Sequence, residues 1–227
     1  METVLIAKVN GVELYYEKQG AGRPLLMVHG NGEDHTIFRE AVNVLKDHFT
    51  VYTPDSRDHG RSSRVKELHY HDMAEDMIQF LDALDLHDVV FYGFSDGGIL
   101  GLLTTQKTDR ITHLITSGAN LTPNGVILPF RLLFRGLYLV KREQKIYMMM
   151  TEPNIRPEDL KAIHVPALII AGEKDLIVPK ETKRIAAAIP NAKLMILPGE
   201  DHGSYIIHQT KIAEIILGEV HKHKGGI

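Results

Sequence analysis

The sequence predicts an α/β fold, a mostly parallel doubly wound sheet, from three observations. Short, nearly continuous apolar runs recur along the chain, segments with helical apolar spacing separate them, and one antiparallel hairpin precedes them all. Strands buried on both faces of a parallel sheet lose the in–out alternation of a half-exposed strand. A repeated strand–helix–strand order joins parallel neighbours through right-handed crossovers.

The elements follow in order. Residues 4–9 and 12–17 flank Asn10-Gly11, a pair that accepts the positive φ angles of a tight hairpin turn. Buried strands are predicted at 24–28, 50–53, 89–94, 111–116, 167–171 and 193–197. Helices are predicted at 38–46, 73–84, 98–106, 182–189 and 206–217; Met73, Met77, Ile78, Leu81 and Leu84 share one face of the second. The tail from His221 to Ile227 is expected to fray. Between residues 121 and 164 the rhythm breaks, with a connection longer than an ordinary crossover. It carries Phe130, Phe134, Leu137 and Tyr138 and four prolines, and reads as a small helical lid. The chain is therefore one domain, residues 1–227, with a short cap at about 121–164.

Composition removes several functions. The 227 residues include no cysteine, which excludes disulfides, a thiol nucleophile and Cys-ligated metal. A net charge of −3 with no basic block gives no footprint for nucleic acid. No apolar run approaches the ~20 residues of a spanning helix, and the first residues lack a signal peptide's basic start. The expectation is a cytoplasmic protein with no membrane partner, acting on a small molecule. His69-x-His71 and His221-x-His223 lack the carboxylate or thiol spacing that would make them metal sites. No metal and no cofactor is expected.

Gly93-Phe94-Ser95-Asp96-Gly97 fits G-x-S-x-G between a predicted strand and a predicted helix. A serine on so tight a turn projects its Oγ above the sheet, and glycines two residues either side relieve the crowding. The helix start beneath favours developing negative charge.

With this motif the sequence resembles the α/β-hydrolase superfamily over nearly its whole length. Four further stretches carry the likeness in the family's order. His29-Gly30-Asn31-Gly32 resembles the oxyanion loop, and Pro54-Asp55-Ser56-Arg57-Asp58-His59-Gly60-Arg61-Ser62 the D-x-R-G-x-G-x-S loop. Gly172-Glu173-Lys174-Asp175-Leu176-Ile177-Val178-Pro179 resembles the acid loop, and Gly199-Glu200-Asp201-His202-Gly203 the histidine loop. Asp58 stands where the family has glycine; aspartate tolerates left-handed backbone better than most residues. Ser-Asp-Gly-Gly at the elbow is similar to the biphenyl-hydrolase-like branch.

The resemblance implies a catalytic Ser95, His202 and Asp175. A serine hydroxyl needs an adjacent base, imidazole with its ordinary pKa of ~6.5 suits that task, and a carboxylate fixes the ring's tautomer. Glu173 is the alternative acid; Asp201, adjacent to the base, is less suited, and residues 116–120, where some members carry the acid, offer no carboxylate. Backbone N–H groups of Asn31 and Asp96 are expected to form the oxyanion hole. His29 is expected to shape a turn. Phe130, Phe134, Leu137 and Tyr138 have two readings, a helix packed on the core and an apolar wall over an acyl pocket. Arg131, Arg135, Lys141 and Arg142 read as a solvated face, alternatively as a site for an acidic substrate group.

The expected enzyme is a serine hydrolase of the carboxylesterase type. Other acyl or C–C bond hydrolases, thioesterases, lactonases, aminopeptidases and perhydrolases share that machinery, and a non-catalytic binding protein is the rival of another class. Ser95 at the elbow disfavours enzymes with an aspartate nucleophile.

Overall fold

Asn10 and Gly11 both take left-handed backbone (φ 44° and 76°), closing the hairpin of β1 (Leu5–Val9) and β2 (Val12–Gln19). The computed structural model describes residues 4–224. After the hairpin come β3 (Arg23–Val28), α1 (Arg39–Leu45), β4 (Phe49–Pro54), α2 (Tyr70–Ala83), β5 (Val89–Phe94), α3 (Asp96–Thr105) and β6 (Ile111–Ser117). Then follow α4 (Leu128–Lys141), α5 (Gln144–Thr151), β7 (Ala167–Gly172), α6 (Pro179–Ala188), β8 (Ala192–Leu197) and α7 (Lys211–Lys224).

The eight strands form one sheet in the order β1-β2-β4-β3-β5-β6-β7-β8. The pairs β1/β2 and β2/β4 are antiparallel and every other neighbouring pair is parallel. The α/β class predicted from the apolar runs is the observed one. β5 is buried along its whole length and feeds two cores. Val89 and Phe91 face one with α2, α3 and α6, while Val90, Tyr92 and Phe94 face the other with α1 and α7. Each such side chain taken from water contributes about 1.5–3 kcal/mol.

Two boundaries differ from expectation. The last helix begins at Lys211, not at residue 206, because His208 sits in left-handed backbone (φ 53°) and breaks any helix through it. Tyr205 and Ile206 are instead buried in the turn that follows His202. α7 also continues to Lys224 through part of the tail expected to fray; residues 225–227 lie outside the described residues, as does the side chain of His223.

The connection from β6 to β7 holds α4 and α5. Its root is stitched to the loop after β7: Val126 and Ile177 form a β-bridge, and Ile127 N donates to Leu176 O (2.9 Å). The buried Glu181 carboxylate accepts from Leu121 N (2.9 Å). Among the described residues no helix is long and apolar enough to cross a membrane.

Candidate active site

Ser95 caps α3 with φ 53° and ψ −113°, strained for a residue with a Cβ. The turn exists because its neighbours lack side chains. A Cβ on Gly93 would lie 2.0 Å from Gly97 O, and one on Gly97 would lie 2.0 Å from Val28 O. Ser95 N donates to Ser117 O (2.7 Å) and Gly97 N to His29 O (3.1 Å), fastening the elbow to β6 and to the loop after β3.

The parallel strands deliver the other groups to the same edge, where loops of such sheets gather. His202, after β8, brings Nε2 to 3.0 Å from Ser95 Oγ, and its Nδ1 lies 2.7 Å from Asp175 Oδ1, after β7. The Asp175 side chain is only 2% exposed and is held by the N–H groups of Ile177 (2.9 Å) and Gly172 (3.3 Å). A proton on Nδ1 leaves Nε2 free to accept the serine's proton, the tautomer this network requires.

The alternative acids are engaged elsewhere. Glu173 is exposed and accepts from Gly199 N (2.8 Å). Asp201 accepts from Gly203 N (3.0 Å) and Ser204 N (2.9 Å), which holds its carboxyl below the ordinary range. Gly118 has a role that spacing did not reveal: at φ 64°, its missing Cβ would lie 2.6 Å from His202 Cε1. Any side chain there would push the ring away from Ser95.

Asn31 and Asp96, whose N–H groups are the expected oxyanion donors, both line the cleft beside Ser95. Asp96 N is the first of α3 and so has no intrahelical partner. Among the described residues Asn31 N has no partner either. Their side chains join: Asn31 Nδ2 donates to Asp96 Oδ2 (2.9 Å), and Tyr70 Oη donates to Asp96 Oδ1 (2.7 Å). Burial raises the Asp96 carboxyl, and these two donors oppose the rise.

His29 does shape its turn. It is buried, its Nδ1–H serves Gly30 O (2.8 Å), and its Nε2 accepts Ser56 N–H (3.0 Å); burial lowers its pKa and keeps it neutral. Asp58, in the family's glycine position, takes the left-handed φ of 63° and bonds Lys145 of α5 (3.0 Å). The same loop is anchored by Arg57, whose Nε donates to the fully buried Asp76 (2.6 Å). Asp34, His35 and Asp55 bring possible ligand atoms within 4.8 Å of one another. Those atoms already serve the fold: Asp34 Oδ1 caps Thr36 N (2.9 Å), and Asp55 accepts from His35 N (2.9 Å) and Arg61 N (2.8 Å). His69 spends Nδ1 on Glu152 Oε1 (2.6 Å), linking the start of α2 to the end of α5.

Ser95 and His202 open into a cleft of ≈ 180 Å³. Its apolar wall includes Phe134, Met149, Leu176 and Ile177. Of the four insertion residues singled out by spacing, Phe134 is on that wall. Phe130 packs on Phe134 (6.4 Å between rings), Tyr138 on Tyr147 (5.5 Å), and Leu137 is half-buried without lining the cleft. Helical spacing identifies a face, and only the crossing of α4 over the cleft decides which residue on that face reaches it.

Glu33 was not foreseen. It lines the cleft and accepts from Gly30 N (3.0 Å). Burial pushes its pKa up to about 7; the Gly30 N–H and His202 oppose this, while Asp96 and Asp34 add to it. A folded-state value above the ordinary carboxylate range stabilises the fold fully at acid pH. That stability is lost as pH rises from about 4.5 through about 7. Glu33→Gln is therefore expected to gain stability relative to the parent between pH 5 and pH 8, by on the order of 2 kcal/mol. Urea unfolding at both pH values checks this, and an unchanged difference contradicts it.

A parallel-sheet protein with a strained serine at a strand–helix turn, joined to an imidazole and a carboxylate, is built like a hydrolase. A family model described as alpha/beta hydrolase fold matches residues 23–147, and the chain belongs to that family. It is 29% identical to the "Uncharacterized hydrolase YugF" of Bacillus subtilis (strain 168), covering 86% of this chain and 89% of that one. It is 27% identical to the "Serine hydrolase BPHL" of Homo sapiens, covering 87% and 79%. A thermophilic esterase from Thermogutta terrifontis superposes with a TM-score of 0.77 at 22% identity, covering 96% of this chain and 98% of that one.

Proposed function

We propose that the chain is a serine hydrolase that cleaves small carboxylic esters or related acyl compounds through an acyl-enzyme. The observation that carries this reading is the unbroken link Ser95 Oγ–His202 Nε2 and His202 Nδ1–Asp175 at 3.0 and 2.7 Å.

In the first half-reaction Ser95 Oγ attacks the acyl carbon while Nε2 takes its proton. Asp175 stabilises the imidazolium that forms. Charge moves to the carbonyl oxygen, which lies between the N–H groups of Asn31 and Asp96. A donor of this kind contributes about 3 kcal/mol to the barrier reduction. Nε2–H then protonates the departing oxygen, leaving acyl-Ser95. In the second half water gives a proton to Nε2 and attacks the same carbon; the acyl C–Oγ bond then breaks, Nε2–H returns the proton to Ser95 Oγ, and the acid leaves.

The cleft supports the substrate class. At ≈ 180 Å³, with Phe134, Met149, Leu176 and Ile177 in its apolar wall, it suits a short acyl or alkyl group. Residues 121–164 act as a small cap on a single domain, supplying Phe134 and Met149 from α4 and α5.

A panel of p-nitrophenyl esters of increasing acyl length, with a thioester, a lactone, an aminoacyl amide and a vinylogous C–C substrate, tests the proposal. Short-chain esters should give the highest kcat/KM, falling as the acyl chain outgrows the cleft. Folded protein that turns over the C–C substrate and none of the acyl compounds would overturn it.

A further inference from the structure

Among the described residues, α4 is the one long helix with no buried side chain. Leu128, Leu132, Leu133, Leu139 and Val140 are 57, 55, 51, 69 and 83% exposed. At 100° per residue these five and Gly136 fall within an arc of about 140° on the side away from the cleft, unbroken by a charge. Arg131, Arg135 and Arg142 follow one border of that arc, while Lys141 at the helix end pairs with Glu143 (3.8 Å). Residues 128–142 contain no acidic residue, although the whole chain carries a net charge of −3. An exposed, contiguous apolar stripe of this kind marks a surface meant to be covered.

We propose that this outer face of α4 docks on an anionic phospholipid surface. Leu128, Leu132, Leu139 and Val140 enter the boundary of the acyl layer, and the bordering arginines pair with headgroup phosphates. The charge pattern chooses the occupant. A cationic helix with a large apolar face lies in the plane of an anionic interface. A second copy of this chain, meeting face to face about a two-fold axis, would set Arg131, Arg135 and Arg142 against their own equivalents with no carboxylate on either helix to answer them. The rest of the chain, net acidic, is repelled by the same surface, which confines docking to α4. The lack of a spanning helix bears on crossing a membrane and leaves this contact open. Phe134, on the inner side of α4, lines the reactive cleft, so the docked face and the site share one helix. The proposal stands whatever reaction the site performs.

Vesicles of phosphatidylcholine alone, and of equal parts phosphatidylcholine and phosphatidylglycerol, are sedimented with the purified 227-residue chain. The parent should partition at least tenfold more onto the anionic vesicles, and added salt should weaken the binding. Leu132→Glu with Val140→Glu should lower that partition at least tenfold while leaving hydrolysis of a soluble short ester unchanged. Arg131→Gln with Arg135→Gln should remove the preference for anionic lipid. No partition by the parent overturns the proposal. So does a dimer, seen by light scattering, that the Leu132 and Val140 substitutions convert to monomer.

Discussion

Ser95→Ala lowers ester turnover by about 10⁴-fold or more and leaves the fold intact. The reason is local. Ser95 Oγ makes a single contact of consequence, to His202 Nε2 at 3.0 Å. Removing one partly exposed hydrogen bond costs about 1 kcal/mol of stability, while removing the nucleophile abolishes the acyl-enzyme route altogether. Alanine has the same Cβ as serine, so the φ of 53° is no more strained than before. What activity remains comes from binding and the oxyanion donors. His202→Ala added to Ser95→Ala should therefore cost almost nothing further, because the two residues act as one unit. Kinetics on a short-chain ester with a melting curve for each variant check both halves; near-parent turnover in Ser95→Ala contradicts the assignment.

Asp175→Asn lowers kcat by about 10³–10⁴-fold with little change in KM. The carboxylate is 2% exposed and accepts from His202 Nδ1 and from two backbone N–H groups. An asparagine oxygen can still accept the backbone N–H groups, so the loop survives. It lacks the charge that stabilises imidazolium, and its amide N–H can hold the ring with the proton on the wrong nitrogen. Glu173→Gln is the matched control: Glu173 reaches Gly199 N, not the ring, so its loss should change kcat by no more than a few-fold. The reverse ranking of these two variants would move the acid to Glu173.

How much of this was legible in the sequence follows from how local each signal is. Ser95 stands out because its turn needs Gly93 and Gly97 at fixed offsets, and the contacts of 2.0 Å that a Cβ would make there explain the need. His202 and Asp175 could be placed because loops after parallel strands converge on one edge, so a residue's position after its strand already states its neighbourhood. Asp58 was readable as a left-handed position, but its bond to Lys145 of α5 was not, since 87 residues separate them in the chain. The same holds for Tyr70 and Asp96, and for Glu33, which in sequence is one more acid in a polar turn. Its raised pKa comes first from burial, with Asp96 and Asp34 adding to it, and the fold alone supplies that burial. Spacing also exposed the apolar character of α4 without saying which side of it met the cleft.

The order of the strands, with β4 inserted between β2 and β3, left no trace in the apolar runs, which record burial and not adjacency. The early start expected for the last helix failed on one backbone angle, at His208, that residue type does not announce.

The most direct measurement is covalent. The parent protein is treated with a fluorophosphonate, its intact mass is taken, and the modified peptide is sequenced by mass spectrometry. One adduct per chain, on Ser95, is the predicted result. Folded protein that takes up no label, or takes it up on another residue while Ser95 stays free, contradicts the account.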